Sequence, residues 1–227
     1  MTYVRTWGEG EHVAVLIHGI QNDSTTWWRV GPELAARGYR VLAPDLLGHG
    51  QSPRGEYTVA TMVDALLAAV PARPALAIGH SLGGLLLGHA VDRLAPERAV
   101  YEDPAWLAIS HELAEGLRAE KDWTEADVAA AAPRWSAETL RYKMSALAAW
   151  DPDTAAAVDE LPEFEAPPAT RPSLVLLADP TVMVPESRLE PLRRKGYTVQ
   201  PVAGAGHSVH HDEYDTFMST VDEWTAG

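Results

Sequence analysis

An α/β fold, with a mostly parallel sheet covered by helices on both faces, is predicted by three features of the 227-residue sequence. Short runs of apolar and β-branched residues recur along the chain, helix-like segments separate them, and most runs are too continuously apolar to leave one face in water. The first strand is Val13 to Ile17, read as Val-Ala-Val-Leu-Ile, and a helix over 26–37 follows it. Tyr39 to Ala43 is the next strand, with a helix over 59–70 to cover it. Ala75 to Ile78 leads into a helix over 82–95, and Arg98 to Tyr101 ends this series. After a long interruption come Leu174 to Leu177, a helix over 186–195, Tyr197 to Val202 and a helix over 209–224.

The interruption is itself informative. Between Pro104 and about Pro172 no strand-like run occurs, and the composition turns to alanine, charge and four tryptophans: Trp106, Trp123, Trp135 and Trp150. A structureless loop of that length is abnormal. Helical spacing in His111 to Lys121, Thr124 to Ala131 and Ser136 to Ala149 predicts a small helical cap over 104–172, leaving 1–103 and 173–227 as the main domain. A connector rich in proline, Pro162 to Pro168, returns the chain to the sheet. Placed after a strand end, the cap is expected to act as a lid bearing substrate contacts. Trp106 and Trp150, near its two ends and so near the strands, are the expected contacts, since an aromatic face buries a flat ligand at low entropic cost.

Composition narrows the partners. With 46% hydrophobic and 22% charged residues, the chain has the balance of a globular domain, which argues against disorder or a fibrous repeat. Its net charge of −14 repels phosphate backbones and anionic lipid, so neither nucleic acid nor a membrane surface is an expected partner. The absence of cysteine removes disulfides, thiolate metal sites and a cysteine nucleophile together. The sequence opens without a basic and then apolar leader, and no apolar stretch approaches the ~20 residues of a bilayer span. A cytoplasmic location is the expectation.

The most specific chemical signal is Gly79-His80-Ser81-Leu82-Gly83, a G-x-S-x-G between a predicted strand and a predicted helix. A hydroxyl is a weak nucleophile and must stand exposed on a sharp turn, where flanking glycines remove side chains that would clash. Ser81 is therefore the candidate nucleophile. Attack on a carbonyl creates an oxyanion that needs amide donors. His18-Gly19-Ile20 follows the first strand, so the amides of Ile20 and Leu82 are the expected pair, with His18 anchoring the loop. Gly204-Ala205-Gly206-His207 follows the last strand and makes His207 the candidate base. A metal cluster of His207, His210, His211 and Asp212 is the weaker alternative, because it lacks a partner at a known ligand spacing.

These motifs, in this order, resemble the α/β-hydrolase superfamily, from the His-Gly of the early loop through Gly-His-Ser-Leu-Gly-Gly to the late Gly-Ala-Gly-His. The resemblance implies an antiparallel first strand before the parallel ones, a cap after the sixth strand in family counting, and a triad of serine, histidine and acid. Family members usually carry the acid shortly before a proline, on the loop after the strand equivalent to Leu174 to Leu177. Here Thr181 stands in that register relative to Pro185, and Asp179 lies two residues earlier. A subset, including haloalkane dehalogenases and zearalenone lactonases, places the acid at the end of the preceding strand, where this chain has Tyr101-Glu102-Asp103-Pro104.

Neighbouring side chains at a strand end point in opposite directions, so Glu102 and Asp103 cannot both face the histidine. Glu102 matches the lactonase-like pattern better and is the expected acid, with Asp179 and Asp103 as alternatives. The expected activity is hydrolysis of a small, fairly apolar aromatic ester or lactone through an acyl-enzyme, with no metal and no organic cofactor. A carbon-carbon bond hydrolase using the same triad, or a ligand receptor on the same fold, are the rival functions.

Overall fold

The computed structural model describes residues 1–181 and 183–226. Among them seven strands form one sheet in the order β1-β3-β2-β4-β5-β6-β7. In chain order the elements are β1 (Val4–Trp7), β2 (His12–Ile17), α1 (Val30–Ala36), β3 (Tyr39–Pro44), α2 (Val59–Ala69), β4 (Leu76–His80), α3 (Leu82–Leu94) and β5 (Arg98–Glu102). Then follow α4 (His111–Ala119), α5 (Glu125–Ala131), α6 (Ala137–Ala149), β6 (Ser173–Leu177), α7 (Leu189–Arg194), β7 (Thr198–Pro201), α8 (Val209–Asp212) and α9 (Tyr214–Ala226). The α/β architecture is the one the apolar runs predict.

Both faces of the central sheet are dry, and the alternation along β2, β4, β5 and β6 shows it. Val15 and Ile17 of β2 join one apolar cluster with Ala77, Ala99, Tyr101, Val175 and Leu177, while Ala14 and Leu16 join the other with Ile78, Val100, Leu174 and Leu176. Strands wet on one face would show a polar half at these positions. Only β1 runs antiparallel, pairing Val4 with Pro44 and Trp7 with Val41 on β3. Strand order reverses between β2 and its two neighbours, β3 and β4. Such a reversal opens a crevice beyond the carboxyl ends of the strands, and the loops after β2 and β4 begin there.

Three of the predicted helices that cover the sheet are divided, the one over 186–195 opening as a 3-10 turn, Glu186–Arg188, before α7. Over 26–37 a 3-10 turn, Ser24–Trp27, precedes α1, because Asp23 accepts from the Thr25 amide (2.8 Å) and caps a tight turn first. Over 209–224 the chain breaks at Glu213, whose φ of −131° and ψ of 55° leave the helical region, giving α8 and α9. The segment between β5 and β6 folds as α4, α5 and α6, each opened by a hydroxyl cap: Ser110 to the Leu113 amide, Thr124 to Asp127 and Ser136 to Thr139. Among the described residues no helix is long and apolar enough to cross a membrane.

Trp106 and Trp150, expected against substrate, are core residues instead. Trp106 is 2% exposed and packs among Tyr101, Phe164 and Tyr197, with ring centroids 5.1, 5.4 and 6.0 Å away. Trp150 is fully buried and donates from Nε1 to Thr154 Oγ1 at 2.6 Å. Lying near the sheet fixes these residues into its packing and takes them out of the cleft. Trp106→Ala should therefore lower stability by about 3–5 kcal/mol in urea unfolding, the cost of emptying an aromatic site in a core. A variant as stable as the parent would contradict this placement.

Candidate active site

β4 is buried throughout and runs into Ser81, whose backbone takes φ 52° and ψ −117° before α3 begins at Leu82. This left-handed turn at a non-glycine residue costs of order 1–3 kcal/mol and persists only where neighbours enforce it. The enforcement is visible: the Ser81 amide donates to Glu102 O (3.0 Å), and Ser81 O accepts from the Leu85 and Ala105 amides (3.0 and 3.1 Å). Glycine is required on both sides of the turn. A Cβ at Gly79 would lie 2.4 Å from Gly83 O, and one at Gly83 would lie 2.2 Å from Ile17 O.

The loop after β2 is held against this turn. His18 is fully buried, donates from Nδ1 to Gly19 O (2.7 Å) and accepts at Nε2 from the Leu46 amide (2.9 Å). Burial pushes its pKa down, which suits an anchoring role better than proton transfer. Ile20 and Leu82 both line the cavity that Ser81 faces. Beside Ile20, Gln21 adopts φ 62° with its side chain buried, and its Nε2 donates to Leu117 O of α4 at 3.0 Å.

The two carboxylates at the end of β5 part company. Asp103 Oδ2 accepts from His207 Nδ1 at 2.7 Å, and Oδ1 accepts from Thr181 Oγ1 (3.1 Å) and the Ala178 amide (3.3 Å). Glu102, expected on His207, lies instead against His210: Oε1 accepts from the His210 amide (2.8 Å) and from Nδ1 (2.7 Å). The alternation argument is right that only one can face His207, but it selects the wrong one. Glu102 pairs in register with His80, the residue before the turn, so both project from the same face of the sheet. Asp103 follows the strand, takes φ 34° and swings its carboxylate to the other side. Asp179, the other alternative, is exposed, and its amide donates to Ala205 O (3.1 Å).

Behind His207 lies a buried histidine layer. His80 Nε2 donates to His207 O (2.9 Å), and the His80 ring sits 4.7 Å from that of His207 and 5.3 Å from that of His210. Thr26 Oγ1 bridges His210 Nε2 (3.1 Å) and His211 Nε2 (3.0 Å). Burial disfavours charge on this layer: Glu102 is pushed up to about 7 and His210 down to about 3. Among the described residues no three side chains of His, Asp or Glu converge as a metal site. The His and Asp side chains of the 207–212 segment are otherwise engaged: His207 by Asp103, His210 by Glu102, His211 by Thr26, and Asp212 by the Trp135 indole and the Gly206 amide.

Ser81 and His207 open on a cavity of about 360 Å³ roofed by the cap. Its walls are mostly apolar, with Leu107, Ile109, Leu117, Val128 and Val158 among them, and Trp123 and Trp135 supply the aromatic faces. These tryptophans directly precede the N-caps of α5 and α6, where helical spacing alone does not announce a cleft. Lys143 of α6 also reaches the cavity, a cation that pattern reading had no reason to single out.

Two outcomes follow from this geometry. Asp103→Asn should reduce kcat by about 10⁴-fold, as loss of the orienting carboxylate does in triads of this kind, whereas Glu102→Gln should cost less than about tenfold. Steady-state kinetics with an activated ester decides between the two carboxylates. Stability should also fall with acid from about pH 6.5 downward. His18, His49, His80, His210 and His211 all have native pKa values lowered by burial. Below about 6.5 the unfolded chain binds protons that the native chain does not, so their stabilisation, complete above that pH, is lost as pH drops. Glu102, raised from 4.5 to about 7, acts in the opposite sense across that window, but it is one group against five. Equal urea midpoints at pH 7.5 and 5.5 would refute the expectation.

Residues 14–220 match the Alpha/beta hydrolase family. An uncharacterized protein of Mycobacterium tuberculosis is 47% identical over 85 residues, covering 35% of this chain and 24% of that protein. The pimeloyl-[acyl-carrier protein] methyl ester esterase of Methylococcus capsulatus is 41% identical over 95 residues, 41% of this chain and 36% of that protein. The matched stretches thus span well under half of the length of these curated relatives. Among solved structures, the enol-lactonase of Burkholderia xenovorans LB400 superposes with a TM-score of 0.80 at 22% identity, covering 100% of this chain and 96% of that one. An esterase from Exiguobacterium antarcticum gives 0.81 at 16% identity, again with 100% and 96% covered. The elbow at Ser81, the sheet order and the family match over nearly the whole sequence lead to one conclusion: the chain belongs to the α/β-hydrolase family.

Proposed function

We propose that the protein is a serine hydrolase that cleaves carboxylic esters or lactones through an acyl-enzyme. The observation that carries this reading is the Asp103 to His207 contact of 2.7 Å beside a serine held at φ 52°, both histidine and serine bordering one apolar cavity. With Nδ1 engaged by Asp103, His207 keeps Nε2 for proton exchange. Ser81 Oγ attacks the carbonyl carbon as His207 takes its proton, and the amides of Ile20 and Leu82 receive the developing oxyanion. Collapse breaks the bond to the alkoxy group, which leaves with the proton from His207. Water, deprotonated by His207, then attacks the acyl-enzyme, and Ser81 departs with that proton. Asp103 orients the ring and stabilises its cation throughout.

The substrate class follows from the walls. A cavity lined by leucine, isoleucine, valine and two tryptophans suits a small, largely apolar molecule and offers little to a long polar polymer. Relatives described as esterases, and a structural neighbour described as an enol-lactonase, support this chemistry. The acid is drawn from the end of β5, as in the lactonase-like subset, but it is Asp103.

A fluorophosphonate should add one adduct mass, and peptide mapping should find it on Ser81. Ser81→Ala should lose at least about 10⁴-fold in kcat toward 4-nitrophenyl butyrate. Modification elsewhere with Ser81 free, or full turnover by Ser81→Ala, would falsify the proposal.

A further inference from the structure

Lys143 is a cation without a partner of opposite charge at contact distance. Its Nζ has neutral acceptors only, all long: Gln21 O at 3.2 Å, Gln21 Oε1 at 3.4 Å and Asn22 Oδ1 at 3.4 Å. Among the described residues no carboxylate lies within 4.0 Å of it. The other two lysines are used differently. Lys121 Nζ donates to the carbonyls of Leu147, Ala148 and Trp150 at 2.6–2.9 Å, and Lys195 reaches Glu165 and Ala166 O. Lys121 also lacks an acidic contact among the described residues, but three short carbonyl bonds replace its hydration, whereas Lys143 has only long ones, which is conspicuous in a chain of net charge −14. Holding a lysine in a largely apolar cavity costs solvation that three long neutral contacts do not restore.

We propose that Lys143 is an anion-recognition group of the active-site cavity, and that the substrate is an ester or lactone carrying a carboxylate a few bonds from its scissile carbonyl. This rests on the hydrolase reading and deepens it. Position argues for the short spacing. Lys143 Nζ touches the carbonyl of Gln21, the residue directly after Ile20, so an anion bound there lies next to the loop that would receive the oxyanion. Most of the remaining wall is apolar and accepts the carbon skeleton between the two groups, with Glu120 as its one carboxylate among the described residues. Nearby acids do not pre-empt the site. Asp23 is committed to Thr25, accepting from its amide at 2.8 Å and from its hydroxyl at 2.5 Å. Glu120 borders the cavity and acts on Lys143 through space, favouring its charged form without neutralising it at contact. Burial opposes this and pushes Lys143 down to about 8, as expected of a cation short of compensation.

The test compares mono-4-nitrophenyl adipate with a neutral 4-nitrophenyl alkanoate of matched length. Wild-type enzyme should favour the anionic ester at least tenfold in kcat/KM, and Lys143→Met should reduce that ratio by about 10- to 100-fold, the range set by one charge-assisted hydrogen bond. A rate loss shared equally by both esters would make Lys143 a clamp on the oxyanion loop and overturn the proposal, as would a wild-type enzyme with no anionic preference. Should Lys143→Met fail to fold, the wild-type protein still decides: adipate should compete with the neutral ester at least tenfold better than adipamide, and equal competition rejects the site. Fluorophosphonate labelling of Ser81 and turnover of the neutral ester report separately on the hydrolase reading. If neither ester is turned over, adipate quenching of tryptophan fluorescence in the wild type, weaker in Lys143→Met, still reads the subsite, and no quenching ends it.

Discussion

Two consecutive buried carboxylates at the end of β5 have to be sent to opposite sides of the sheet, and much of the site follows from how the chain does it. Glu102, in the last position of the strand, keeps the strand's alternation and meets His210 among residues of the α8 and α9 side. Asp103 leaves the strand with φ 34° and reaches His207. Were both to face one histidine, two charges would compete for one proton in a dry site, and burial would neutralise one of them. Separation lets each bind its own imidazole. The turn is pinned from both neighbouring strands: the Asp103 amide donates to Leu176 O of β6 (2.7 Å), and Glu102 O holds the Ser81 amide next to β4 (3.0 Å). The Ser81 turn and the Asp103 contact to His207 are thus one construction, since the strand end that holds the histidine also fixes the serine turn.

The cap is tied to both loops that would act on substrate. Trp135 Nε1 donates to Asp212 Oδ1 (3.1 Å), whose other oxygen accepts from the Gly206 amide (2.9 Å) next to His207, and Arg134 reaches Glu213 (2.9 Å). On the opposite side, Gln21 Nε2 bonds Leu117 O of α4, while Lys143 of α6 contacts Gln21 O. Shifting α4–α6 would therefore disturb the His207 loop and the loop after β2 together. Trp135 belongs to this coupling as well as to the cavity wall, which explains why an aromatic residue with a donor stands there.

The fold and the turn at Ser81 are legible because their signals are local. Continuous apolar runs report burial on both faces directly, and a serine between spaced glycines at a strand-to-helix junction reports a turn that few other structures need. Assigning the acid required something non-local. In the β4 to β5 pairing His80 stands opposite Glu102, which puts Asp103 level with Ser81. Only register reveals this, and register is set by tertiary pairing. The tryptophans failed for a related reason. Closeness in sequence to the sheet is not closeness to the cleft: Trp106 and Trp150 are close enough to be absorbed into the core, whereas Trp123 and Trp135 face the cavity from short connections between α4, α5 and α6. Lys143 is invisible in pattern because helix α6 would tolerate a lysine at any solvent-facing position.

Thr181 gives the reason that the acid can stand where it does. The sequence resemblance marks its register as the usual site of the triad acid, and its hydroxyl donates to Asp103 Oδ1 (3.1 Å) while accepting from the Val184 amide (3.3 Å). A carboxylate in place of that hydroxyl would meet the Asp103 carboxylate at hydrogen-bond range, in a site where Asp103 itself has no exposure. Repulsion of that kind forces one acid to hold a proton and weakens its grip on the imidazole. A hydroxyl removes the conflict and adds a donor, so Asp103 Oδ1 is satisfied by Thr181 and Ala178 while Oδ2 is left to His207. A carboxylate at 103 and a hydroxyl at 181 are, in physical terms, one arrangement: the hydroxyl shares Asp103 Oδ1 with the Ala178 amide, where a second carboxylate would compete for the proton on His207.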